Sequence, residues 1–190
     1  MMASERAGVL VVGSVSADLT AFSSRAPEPG ETLRGESFSL ALGGKGANQA
    51  VAVARAGAPT ALIACVGDDT FGAMVVRELA AAGVAVGRVQ TVAGETGIAH
   101  IRVDATGENS IVIVPGANDA LDEATVLQAI RDAAASSSVL LTQLETPARL
   151  TASILSTARD AGLTTLLDPA PAVPLDDQVW ALVDLVTPNE

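Results

Sequence analysis

Along most of this chain, short and nearly unbroken apolar runs alternate with longer segments of helical period, and that order leaves few folds open. Residues 8–13 (Gly-Val-Leu-Val-Val-Gly) and 60–66 read as strands buried on both faces, because neither shows the every-second-residue alternation of a half-exposed sheet. A helix follows each run. The first covers residues 46–56 and stops at Gly57; the second is capped by Asp69 or Thr70, runs to about Ala82 and stops at Gly83. The rhythm returns further on, with helices at 122–135, 147–161 (opened by Pro147) and 175–182, and strands at 139–144, 164–168 and 184–187. Strands separated by helices pair in parallel through right-handed crossovers. The expected fold class is therefore α/β, a mostly parallel Rossmann-like sheet flanked by helices. Ligands in such sheets bind beyond the carboxyl ends of the strands.

Two excursions interrupt this series. Residues 97–104 and 109–114 form a hairpin through Ala105-Thr106-Gly107-Glu108, and residues 18–42 are extended and polar-alternating around Pro27-Glu28-Pro29-Gly30. Together they suggest a small accessory sheet. With no repeat and no low-complexity linker, the expectation is one α/β domain over residues 1–190, with segments 18–42 and 97–114 inserted into it.

Composition excludes several functions. At 49% apolar and 17% charged residues, the chain can build a compact core and is not of disordered composition. A net charge of −11 with scattered Lys and Arg argues against nucleic acid or an anionic membrane as partner. Three Phe, one Trp and no Tyr also leave few platforms for stacking bases. No apolar segment reaches the roughly 20 residues of a membrane helix, and residues 8–15 lack the basic start and cleavage pattern of a signal peptide. A cytoplasmic location is the expectation. Cys65, the single cysteine, sits in an apolar run and reads as a buried structural thiol. His100 has too few companions for a His/Cys metal cluster and reads as a strand residue.

The strongest local signal is Gly43-Gly44-Lys45-Gly46-Ala47-Asn48-Gln49-Ala50. Its glycines allow close approach to a ligand, its N–H groups can point one way, and it opens a helix whose N-terminus favours polar oxygens. Lys45 and Asn48 add side-chain donors. The plainer reading is a tight strand-to-helix turn. It is neither a P-loop, since Lys45 is followed by Gly46, nor a dinucleotide fingerprint, since the spacing fails.

This octapeptide resembles the first signature of the ribokinase (PfkB-type) carbohydrate kinases. The likeness extends along essentially the whole chain, in order: Gly13-Ser14-Val15-Ser16-Ala17-Asp18, Pro29-Gly30-Glu31-Thr32, Gly67-Asp68-Asp69-Thr70-Phe71-Gly72, Pro115-Gly116-Ala117-Asn118, Gln143-Leu144-Glu145, Asp168-Pro169-Ala170-Pro171 and Thr187-Pro188-Asn189-Glu190. The Gly-Gly-Lys-Gly-Ala-Asn form is closer to ribokinases than to fructokinases. What the resemblance implies is a ribokinase fold whose excursions form a β-lid over a sugar. The sugar would be held by Ser16, Asp18, Gly44, Lys45, Gly46, Ala47, Asn48 and Glu145, with Asn189 on the cofactor side. Read without it, the alternatives are a helix or turn cap for Asp18 and a plain surface residue at the strand's carboxyl end for Glu145. The implied reaction is transfer of a phosphoryl group from ATP to the terminal hydroxyl of ribose, with Mg2+ and a monovalent cation (K+), in a homodimer paired through the lid.

Two departures qualify this. Ribokinases typically have Asn where this chain has Ser16, which weakens the assignment of ribose in particular and admits another sugar or a nucleoside. The family's catalytic Asp stands in a Gly-Ala-Gly-Asp motif, and these 190 residues contain none. The chain also closes on Thr187-Pro188-Asn189-Glu190 directly after an apolar strand, one Glu short of the family's Asn-x-x-Glu. The expectation is a chain cut before its catalytic part, inactive alone; the rival is a short, non-catalytic sugar-binding or dimerising module.

Overall fold

The computed structural model describes residues 7–189. Its first sheet has six parallel strands: β1 (Gly8–Val12), β4 (Thr60–Gly67), β5 (Ala85–Val92), β8 (Ser137–Thr142), β9 (Thr164–Leu167) and β10 (Leu185–Val186). They stand in the order β10-β9-β8-β1-β4-β5. β1 lies inside this sheet and is buried on both faces, which explains its unbroken apolar run. Leu10 and Val12 join one core, with Ile63, Cys65, Leu140 and helices α3 (Glu123–Ala133) and α4 (Thr151–Asp160). Val11 joins the other, with Leu62, Ala64, Val66 and helices α1 (Lys45–Arg55) and α2 (Thr70–Ala81). A short helix, α5 (Asp177–Trp180), precedes β10.

Helix boundaries follow local chemistry. Asp69 caps α2 by accepting the Gly72 N–H at 2.7 Å, and Asp122 caps α3 by accepting that of Thr125 at 2.9 Å. α1 and α2 end ahead of Gly57 and Gly83, both at positive φ. The expected helix over 147–161 is divided: a 3₁₀ turn at Ala148–Leu150 leads into α4. β5 is the one strand without a counterpart among the expected elements. It is the edge strand beside β4 and carries Gly87, Arg88 and Gln90, so it lacks both the continuous apolar run and a clean alternation.

A second, four-stranded sheet has the order β3-β2-β6-β7, formed by β2 (Ser16–Phe22), β3 (Ser37–Gly43), β6 (Ile98–Val103) and β7 (Asn109–Val114). β2 pairs antiparallel with β3 and parallel with β6, and β6 pairs antiparallel with β7. Register places Asp18 beside Ala99 and Ala99 beside Ile113, so the three stand in a row across one face. A slip of one residue would turn Asp18 to the opposite face. His100, next to Ala99, is an exposed strand residue. Among the described residues no helix is long and apolar enough to cross a membrane.

Candidate functional site

Between the carboxyl ends of the parallel strands and that face of the second sheet lies a cleft of about 1090 Å³. Ser16, Asp18, Gly44, Lys45, Asn48 and Glu145 line it, brought together from the start of β2, the start of α1 and the segment after β8. Asn189 lines it too, in a wall otherwise built from Pro169, Pro171, Val173, Trp180 and Pro188. Ala99, Ile101, Ile111 and Ile113 form its apolar roof. Glu190 lies outside the described residues.

Gly46 and Ala47 are placed differently from the expectation. Both are buried away from the cleft wall, with Ala47 in the core. A Cβ on Gly46 would come within 2.6–2.7 Å of Gly13 and Ser14 backbone, so this glycine lets α1 pack against the end of β1. Three of the N–H groups expected to face a ligand are engaged within the protein. Lys45 N–H donates to Glu145 Oε2 at 2.9 Å, Gly46 N–H to Ser14 Oγ at 3.4 Å and Ala47 N–H to the Ser14 carbonyl at 2.9 Å. The glycine run therefore acts mainly by geometry: it brings the first turn of α1 onto Ser14 and Glu145.

Glu145 is fixed through one oxygen, Oε2, which also accepts from Ser14 Oγ at 2.6 Å. Asp18 is fixed likewise, its Oδ1 accepting from Ser16 Oγ at 2.8 Å. Burial pushes the Asp18 carboxyl above its ordinary range, partly countered by the Ser16 hydrogen bond and reinforced by the charge of Glu145. Among the described residues, neither the Lys45 ammonium nor the Asn48 amide side chain makes a hydrogen bond or ion pair. The cleft thus presents two oriented carboxylates and two uncommitted donors around one space, the equipment for holding a polyhydroxylated molecule by several hydrogen bonds at once.

Two supporting residues, Gly43 and Asn118, fell outside the expected site, and Gly44, which was expected, shapes it through its backbone. Gly43 lies opposite Ser16 in the β2–β3 register, and the Asp18 carboxylate leans over its Cα. A Cβ on Gly43 would meet Asp18 Oδ1 at 1.9 Å. Gly44 has φ 90°, and a Cβ there would stand 2.8 Å from the Ser14 carbonyl. Asn118 is buried and grips the backbone of Val15 from both sides: its Oδ1 accepts the Val15 N–H at 2.9 Å, and its Nδ2 donates to the Val15 carbonyl at 2.8 Å and to Pro115 at 2.9 Å. This clamp fixes the link from β1 to β2, where Ser16 and Asp18 arise. The motifs carrying Gly43 and Asn118 were visible in the sequence, but their partners are 25 or more positions away.

Cofactor equipment is sparse. Among the described residues no group of three His, Cys, Asp or Glu side chains could hold a metal ion. Around Asn189 the wall is chiefly proline and apolar. The described residues therefore do not by themselves form a metal site.

This topology, a mostly parallel sheet flanked by helices with a small second sheet beside it, is the Rossmann-like ribokinase fold. A sequence model of the pfkB family carbohydrate kinases matches residues 6–190, and the chain belongs to that family. The ribokinase of Haemophilus influenzae is 42% identical over 186 residues, covering 97% of this chain and 60% of that protein. The deoxyribokinase of Salmonella typhi is 35% identical, covering 96% of this chain and 60% of that protein. Among solved structures, Arabidopsis thaliana ribokinase complexed with ribose and ATP superposes with a TM-score of 0.86 at 31% identity, covering 96% of this chain and 60% of the other. The chain thus spans about 60% of the length of these relatives.

Proposed function

We propose that this chain is the sugar-binding portion of an ATP-dependent kinase that phosphorylates D-ribose at its terminal hydroxyl. The observation that carries the reading is the convergence of Asp18, Glu145, Lys45 and Asn48 on one cleft, the last two with no protein partner among the described residues. Asp18 and Glu145 accept hydrogen bonds from vicinal hydroxyls, while Lys45 and Asn48 donate to them. The apolar roof of Ala99, Ile101, Ile111 and Ile113 covers the sugar as a lid over 18–42 and 97–114 and excludes water, which strengthens these contacts. In the complete enzyme, ATP with Mg2+ and K+ would supply the phosphoryl group. The 190 residues have no Gly-Ala-Gly-Asp sequence, so this chain alone binds sugar without transferring phosphate.

The test is a calorimetric titration of the chain with D-ribose beside Lys45→Ala. Among the described residues the Lys45 ammonium makes no hydrogen bond or ion pair, so the variant should melt like the parent and bind at least about tenfold more weakly. Unchanged affinity would sink the site assignment. A second reading, another sugar or a nucleoside, is favoured by Ser16, whose hydroxyl is occupied with Asp18 and reaches less far than an amide. Parallel titrations with 2-deoxyribose, fructose and adenosine decide it, and tighter binding of any of them displaces ribose.

A homodimer paired through the second sheet completes the proposal. Phe38 is 63% and Val112 64% exposed on its two edge strands, a large apolar surface to leave in water. Sedimentation of the chain and of Val112→Lys tests this: a dimer that the lysine dissociates supports it, and a monomeric parent at high concentration refutes it.

A further inference from the structure

Beneath the cleft floor runs a hydrogen-bonded relay that none of the sugar contacts uses. Gln49, on the first turns of α1, donates from Nε2 to Asp168 Oδ2 at 2.9 Å. Its Oε1 accepts from Nε2 of Gln143, a side chain with no solvent exposure. The relay has only one consistent direction. A carboxylate accepts and does not donate, so Asp168 turns the Gln49 NH2 toward itself. The Gln49 oxygen then faces Gln143, which must present its own NH2. The Gln143 oxygen is left over the Cα of Gly13, where it has no partner. At the other end Asp168 Oδ1 is likewise buried without a partner, and two such leftover acceptors are a cost accepted to complete the chain of bonds, which points to a purpose beyond filling space.

The relay's position supplies the purpose. Lys45 and Asn48 enter the cleft from the same turns of α1 that carry Gln49. Asp168 immediately precedes the Pro169–Val173 wall on the opposite side, and Gln143 stands two residues before Glu145. Helix α1 has no side-chain cap of its own, and small residues, Gly46, Ala47 and Ala50, form its buried face. The first turn is held by N–H bonds to Glu145 and Ser14, and Gln49 adds the side-chain anchor one turn further on. We infer that Gln49 and Asp168 are positioning residues for the sugar site: the Asp168–Gln49–Gln143 relay sets the rotation of α1 and thereby where Lys45 and Asn48 stand relative to Glu145. The inference rests on the sugar-binding reading above.

Calorimetric titration with D-ribose tests it on the parent chain and on Gln49→Met, Asp168→Ala and Asp168→Asn, each well below its own melting midpoint. Methionine keeps the length of Gln49 without its hydrogen bonds, and asparagine keeps an acceptor oxygen for the Gln49 amide. Gln49→Met and Asp168→Ala should each bind about tenfold more weakly, the scale expected when a contact is misplaced by a fraction of an ångström. Asp168→Asn should bind like the parent. If Gln49→Met does not fold, the two Asp168 variants decide alone. Parent-like affinity in Asp168→Ala overturns the inference, as does Asp168→Asn binding as weakly as Asp168→Ala. A parent chain that takes up no sugar overturns the reading of the site itself, and the inference falls with it.

Discussion

Replacing Gly43 by alanine should disable the sugar site without touching a residue that contacts the sugar. Gly43 is not at positive φ, so its backbone accepts an alanine. The obstacle is the Asp18 carboxylate, whose Oδ1, Cγ and Oδ2 would lie 1.9, 2.1 and 2.3 Å from the new Cβ. No small adjustment relieves three such contacts, so the carboxylate must leave its place and give up its bond to Ser16. Asp18 Oδ2 has no protein partner among the described residues, and in the proposed function it is the oxygen that accepts from a ligand hydroxyl. Losing one hydrogen bond to a charged group costs about 1.5–3 kcal/mol, or roughly 10- to 100-fold in Kd. Stability should change far less, because a strand alanine is worth about 0.5–1 kcal/mol over glycine and offsets the lost Ser16 bond. Calorimetric titration with D-ribose and a thermal melt of the same samples read both quantities. Asp18→Ala introduced into Gly43→Ala should add little, since the same interaction is already gone. A Gly43→Ala chain that binds ribose as tightly as its parent would refute the reasoning, as would full additivity of the two changes.

Other outcomes follow from the same geometry. Burial raises the Asp18 pKa, so ribose affinity should fall with decreasing pH around a midpoint above the ordinary 3.8, and Asp18→Asn should flatten that profile. For stability the sign is reversed: a raised folded-state pKa means the native chain holds the proton more tightly, so Asp18 subtracts stability as pH rises through that window. Asp18→Asn should therefore melt higher than the parent at neutral pH while binding poorly, and a lower midpoint would contradict this. Gly44→Ala should lose at least about 2 kcal/mol in urea unfolding, since φ 90° is strained for alanine and the Cβ meets Ser14 and Val15 backbone at 2.8 Å. Asn118→Ala should cost about 2–4 kcal/mol by leaving the Val15 N–H and carbonyl buried without partners, and faster hydrogen exchange at the Val15 amide would report the same loss.

The strands buried on both faces and the capped helices were legible in the sequence because their signals are local. The run of β1, the Asp69 cap and the Gly57 and Gly83 stops each depend on residues within a turn or two. β5 was not legible: an edge strand needs no continuous apolar run, and only its pairing with β4 identifies it. The candidate site divides along the same line. Residue types suited to hydroxyl groups, Asp18, Lys45, Asn48 and Glu145, stood in recognisable motifs. That Gly46 and Ala47 serve packing, that the N–H groups of Lys45, Gly46 and Ala47 are engaged by Ser14 and Glu145, and that Gly43 seats Asp18 were settled by tertiary structure alone. A sequence records which groups can form hydrogen bonds. Which of them remain for a ligand depends on what the fold has already paired, and those pairings cross as many as 131 positions of chain, as from Ser14 to Glu145.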